Sequence, residues 1–142
     1  GLIGLLFLTY LTGTLGSALS GRIAQKLPAP IAMALGVVIM MAGSLVTLWQ
    51  SIPLIILGFF ITAFGFFVTH SLASSWVNRH ALKAKASASA LYLVFYYVGA
   101  STGSLYLQPF WQWQKWSGVI VGSCLMLSFT LLLCLSLRRF GR

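Results

Sequence analysis

Residues 53–87 read PLIILGFFITAFGFFVTHSLASSWVNRHALKAKAS, an uncharged apolar run that ends in Arg79, Lys83 and Lys85. A helix needs roughly 20 apolar residues to cross a bilayer core of about 30 Å, so 53–76 is expected to be a transmembrane helix with basic residues at one end. Working outward, four more runs share this character, at about 1–21, 31–50, 87–109 and 118–137. In chain order these are spans a to e, with 53–76 as span c. The chain 1–142 therefore reads as a single transmembrane region.

The charges between the runs agree with this division. The chain has nine Lys and Arg and no Asp or Glu, and eight of the nine fall in alternate gaps. Arg22 and Lys26 follow span a, Arg79, Lys83 and Lys85 follow span c, and Arg138, Arg139 and Arg142 follow span e. The other two gaps hold only Lys115. Lys and Arg beside span ends stay on the cytoplasmic side during insertion. The expected amino terminus is then outside and the carboxyl terminus in the cytoplasm. Trp49, Trp111, Trp113 and Trp116 fall at the expected outer boundary and Trp76 and Phe140 at the inner one, where amphipathic rings prefer to sit.

Composition excludes a soluble domain: 59% of residues are hydrophobic, 6% are charged, and the mean hydropathy is +0.96. A pI near 10.3 would point to nucleic acid in a soluble protein. Here the cations sit one to three at a time beside spans, so topology and the anionic lipid of the inner leaflet account for them, and no nucleic-acid partner is expected. Only helices satisfy their own backbone groups in lipid when no strand-like alternation is present. The fold class is all-α, a polytopic membrane helix bundle of five transmembrane helices.

Small residues at spacings of three and four mark faces where helices approach closely. Span a carries Thr9, Gly13, Gly16 and Ser20 beside a second line of Tyr10, Thr14, Ser17 and Gly21, and both lines are expected to be buried. Span b has Gly36, Met40, Gly43 and Thr47. Span c has Gly58, Thr62, Gly65 and Thr69, and span d has Tyr92, Tyr96, Gly99, Gly103 and Tyr106. Span e turns Leu-rich after Gly122 and is expected to be the peripheral, lipid-facing helix. Cys124 and Cys134 lie too far apart along span e to bridge and read as packing thiols. The apolar run begins at Gly1 without a charged leader, so no cleavable signal is expected and the chain reads as a piece of something longer.

Residues 16–30, GSALSGRIAQKLPAP, resemble the cytoplasmic loop motif of major facilitator superfamily transporters. Gly21 matches the opening Gly and Lys26 the first basic position. Gln25 stands in place of the Asp, Pro28 in place of the second Gly, and Ala29 in place of the following basic residue. A second stretch, HSLASSWVNRHALKAKASASALYLVFYYVGASTG at 70–103, is similar to helices ten and eleven of the bacterial arabinose-efflux-like inner-membrane group. The resemblance implies a partial major facilitator fold, with spans a to e as helices eight to twelve and the missing amino-terminal half of the same transporter as partner. It also implies a small-molecule substrate, with efflux the expected direction, and it makes the membrane a bacterial inner membrane with the periplasm on its outer side. Gly21, Arg22 and Lys26 become the cytoplasmic loop motif.

His70 is the only ionisable residue well inside a span, and such groups are functional candidates. It reads either as a proton or substrate contact, since helix ten lines the cavity in the superfamily, or as a neutral imidazole hydrogen-bonded to Ser74 or a neighbouring helix. Tyr92 and Tyr96 read either as cavity lining or as helix packing, and Thr62 and Thr69 as cavity-exposed or packed. These five are the substrate-cavity candidates. With no carboxylate there is no acid/base pair, no metal site and no Ser-His-Asp set. No phosphate-cradling loop is present either, so neither an enzyme nor a cofactor is expected. The competing function is a small non-catalytic membrane scaffold or assembly subunit that binds partner helices through its Gly/Tyr faces. An ion channel would need a charged ring or carbonyl filter, and neither is seen.

Overall fold

The computed structural model describes residues 2–139, with side chains described at Gly4, Leu8 and from residue 11 onward. Phe140 and Arg142, and the side chains of Thr9 and Tyr10, lie outside the described residues. Every long element among the described residues is helical: α1 Leu2–Lys26, α2 Ala29–Val46, α3 Ile52–His80 and a helix Lys85–Ser136, with short 3-10 turns at Thr47–Trp49 and Leu137–Arg139. Helical geometry breaks at Gln114 and Lys115, where Lys115 takes φ 50° and ψ −127°. The two arms, 85–113 and 116–136, are named α4 and α5. Tyr106 donates a hydrogen bond to the carbonyl of Gly122 at 3.2 Å. In an unbroken helix residues that far apart would sit about 24 Å from each other, so the chain folds back on itself at the break.

Among the described residues three stretches are long and apolar enough to cross a membrane, Ala29–Trp49, Ile52–His80 and Lys85–Arg139. The last, at 55 residues, is more than double the length of one crossing, and the reversal at 114–115 divides it. The molecule is an all-α membrane helix bundle.

At the centre lies α3. Its line Gly58, Thr62, Gly65 and Thr69 meets Thr47 of the 3-10 turn and Gly43, Met40 and Gly36 of α2 in antiparallel order. The backbones touch there. A Cβ on Gly58 would come within 2.6 Å of the Gly43 carbonyl oxygen, and one on Gly65 within 2.5 Å of the Gly36 carbonyl oxygen. Small residues permit this approach, and dispersion between the two backbones holds it where no hydrophobic force acts. A second face of α3 takes α1: Phe67 packs over Gly13, Phe64 and Val68 over Gly16, and Ser71 donates to the Ser17 hydroxyl at 3.0 Å. Helix α5 lies on α2, with Trp116 Nε1 donating to Thr47 Oγ1 at 3.2 Å. Cys134 joins Ala32, Met33 and Val37 in the core, flanked by Leu127 and Leu131.

Several expectations change in this arrangement. Span e is not the peripheral helix, because Gly118, Ile120, Gly122 and Cys134 of α5 are buried while no residue of 85–113 is. A leucine-rich stretch packs on a protein groove as readily as on acyl chains, and composition alone does not separate the two. On span a only one small line is buried, Gly13, Gly16 and Ser20, whereas Thr14 and Gly21 are exposed. Gly99 and Gly103 have nothing within 4 Å of a Cβ, so among the described residues they make no close helix contact. The two basic gaps also shrink, since α1 runs on through Lys26 and α3 through His80, leaving connections of only 27–28 and 81–84. A helix does not stop at the edge of the hydrocarbon, and Lys26 in the last turn of α1 complements the negative end of its dipole.

The helix directions gather charge at one end. Where α1, α3 and α5 finish and α2 and α4 begin stand Arg22, Lys26, Arg79, Lys83, Lys85, Arg138 and Arg139. Lys115 stands at the opposite end, its ammonium 5.7 Å from the centre of the Trp111 ring.

Candidate functional site

The turn at 81–84 returns α4 antiparallel to α3, with Ala84 in the left-handed region at φ 56°. Two pairs of residues spaced by four then face each other across the helices, Phe66 and His70 from α3 and Tyr92 and Tyr96 from α4. Tyr92 Oη lies 2.9 Å from His70 Nδ1 and 3.4 Å from the His70 carbonyl oxygen. The Tyr96 ring centre is 4.9 Å from that of His70, and Phe66 lies nearly parallel to the imidazole, at 15° and 5.6 Å. Closer to the turn, Ser89 donates to Asn78 Oδ1 at 2.8 Å and ties the same two helices.

Tyr92 has one phenolic proton and two acceptors in reach. It donates to Nδ1 when the imidazole proton is on Nε2, or accepts from Nδ1–H and turns its own proton toward the carbonyl. In both cases Nε2 and the Tyr96 hydroxyl meet no partner among the described residues. The site therefore offers a ring nitrogen, a phenol and a flat aromatic wall on a half-exposed face. It lies wholly within an apolar stretch that contains no carboxylate.

Three of the five cavity candidates come together here: His70, Tyr92 and Tyr96. Thr62 and Thr69 do not. Thr62 packs against Gly43, and Thr69 Oγ1 donates to the Gly65 carbonyl at 2.9 Å and the Met33 carbonyl at 3.3 Å. Both sit in the α2–α3 seam, since a residue one position from His70 is turned about 100° around a helix. Of the two partners that the packing reading allowed for the imidazole, Ser74 or a neighbouring helix, the structure has the second, Tyr92 of α4. Gly21, Arg22 and Lys26 lie exposed on the final turns of α1, on a helix end and not in a loop. Sequence reasoning did not single out Phe66, although its place four residues before His70 puts it on the same helix face. Among the described residues no group of His, Cys, Asp or Glu could hold a metal ion.

No protein-family model matches the chain, and no solved structure matches it. Curated relatives do. An uncharacterized transporter of Buchnera aphidicola subsp. Schizaphis graminum is 38% identical over 96% of this chain. The uncharacterized MFS-type transporter YybF of Bacillus subtilis is 39% identical over 92%, and the inner membrane transport protein YnfM of Escherichia coli is 39% identical over 96%. The chain spans about a third of the length of these relatives, 33%, 31% and 33% respectively.

Proposed function

We propose that the chain forms helices eight to twelve of a major facilitator type secondary transporter, moving a small solute outward by alternating access between two rocking halves. The observation that carries this reading is that relatives named as transporters align with nearly the whole chain at 38% and 39% identity. The basic end of the bundle then faces the cytosol of a bacterial inner membrane, the helices cross it five times, and the rest of the transporter supplies the other half of the cavity. Efflux, and kinship with the arabinose-efflux-like group, rest on the resemblance of 70–103.

In this reading His70 is the contact for solute or proton. Nε2 is its working atom, Tyr92 holds the ring from Nδ1, and Tyr96 and Phe66 form the wall against which a solute slides. With no carboxylate in these helices, proton coupling within them falls to the imidazole. His70→Ala in the full-length protein is expected to lower transport and to flatten its pH dependence between about pH 5 and 8. Transport that stays at the parental rate across that range removes His70 from the mechanism.

A further inference from the structure

Helices α1 and α4 both pack on α3 and, among the described residues, do not touch each other. Phe64, Phe67, Val68 and Ser71 of α3 meet α1, while Phe66, His70 and Asn78 meet α4. At 100° per residue these two faces lie roughly 130° apart around α3, so a strip of α3 forms the floor of a cleft between the other helices. The floor follows one helix line, Ile56, Ala63, Phe67, Ser71, Ser74 and Asn78, at spacings of three, four and seven. Its character changes once along the way. Ile56, Ala63 and Phe67 are apolar, whereas Ser71, Ser74 and Asn78 are polar and lead to the basic end, with His70 beside the change.

Hydroxyls wall the polar half, Ser17 from α1 and Ser89 and Tyr92 from α4, and these side chains, like the polar floor and His70, are half-buried. Their bonds within the protein use only part of their capacity. Asn78 accepts from Ser89 at 2.8 Å and donates to the Ser74 carbonyl at 3.2 Å, which leaves a second amide hydrogen and a second lone pair on Oδ1. Ser71 donates to Ser17 at 3.0 Å, which leaves a lone pair on each oxygen. Acyl chains cannot take up that capacity, and water can. On the apolar side Phe67 packs over Gly13 of α1 and stands edge-on to Phe66 at 5.2 Å, while Phe66 stacks on His70. This aromatic pair bars the floor beyond His70.

We propose that the polar half of this cleft is a water-filled passage that opens at the basic end, runs about 12 Å along α3 from Asn78 to His70, and stops at Phe66 and Phe67. Ser71, Ser74 and Asn78 hold its water, and His70 thereby meets one side of the membrane only. The passage stands on geometry, and its use by solute or proton rests on the transport reading of His70. The test is thiol labelling of the full-length protein in membrane vesicles, with its native cysteines replaced by serine and single cysteines introduced as Ser71→Cys, Ser74→Cys, Ala63→Cys or Val94→Cys. Val94 is exposed, two residues from Tyr92 and so on the opposite face of α4. A small membrane-impermeant methanethiosulfonate is added to one side at a time. From the side of the basic end, Ser71→Cys and Ser74→Cys are expected to react about tenfold faster than Ala63→Cys or Val94→Cys, because the reacting thiolate is disfavoured in apolar surroundings. From the other side none of the four should react. Ser74→Leu, which fills the passage and leaves every charge in place, should slow the reaction of Ser71→Cys. Ser71→Cys and Ser74→Cys reacting no faster than Val94→Cys overturns the proposal, by showing the cleft filled with protein or lipid. Ala63→Cys reacting as fast as Ser74→Cys also overturns it, because the passage then does not stop at Phe67. Labelling needs no transport: the expected pattern in a protein whose transport ignores His70→Ala keeps the passage and removes His70 from the mechanism, and the reverse result does the opposite.

Discussion

Tyr92 does two jobs at His70. Its hydroxyl orients the imidazole at 2.9 Å, and its ring, centred 5.5 Å away, closes one side of the site. Tyr92→Phe separates them by keeping the ring and removing the bond. Interhelical hydrogen bonds in membrane proteins average about 0.6 kcal/mol, so thermal unfolding in detergent is expected to show a stability loss near that figure. A loss above about 2 kcal/mol, the range for stranding a buried partner, would mean that the hydroxyl holds α3 to α4 and does not merely steer the ring. His70 stood out in the sequence because an ionisable group in an apolar run is conspicuous. Tyr92 and Tyr96 stood out as candidates too, but their pairing with His70 did not, since Tyr92, Tyr96 and Tyr106 share one helix line and only packing shows that Tyr106 turns to Gly122 while the other two turn to His70.

At the scale of elements, the glycine seam joins α2 and α3 backbone to backbone. Gly65→Ala would bring a methyl to 2.5 Å from the Gly36 carbonyl oxygen and 2.9 Å from the Met40 amide nitrogen. Backbone atoms inside helices cannot swing aside, so the expected loss is about 1–3 kcal/mol. Gly99→Ala, with nothing within 4 Å, should be neutral or stabilise α4 by up to about 1 kcal/mol. Unfolding of the two variants of the 142-residue chain in micelles compares them directly. Equal losses would mean that the α2–α3 contact is not as close as described. The seam was legible in the spacing of Gly36, Gly43, Gly58 and Gly65. The same spacing at Gly99 and Gly103 was not a guide, because a small-residue line records a capacity for close approach and leaves the approaching partner unnamed.

Across the whole molecule, seven basic residues at one end and Lys115 at the other give the bundle a single polarity. Trp116 bound to Thr47 fixes the α2–α3 and α4–α5 turns at the same end. Fusions of a periplasm-active phosphatase after Lys83 and after Lys115 in the full-length protein are expected to be inactive at the first site and active at the second, following the retention of Lys and Arg in the cytosol. Activity at both sites, or at Lys83 alone, would break the assignment of the basic end to the cytosol and the helix numbering with it.

The sequence by itself determined where the apolar helices run and which turns carry charge, because transfer of a segment into lipid and retention of Lys and Arg are sums over local residues. Only the tertiary structure decided which faces meet. It put Thr69 in a seam and His70, its neighbour, in a site, left α4 outermost and tucked α5 against α2. Those outcomes turn on the rotation of each helix about its own axis, which depends on the shape of the helix opposite and is written in no single stretch of chain.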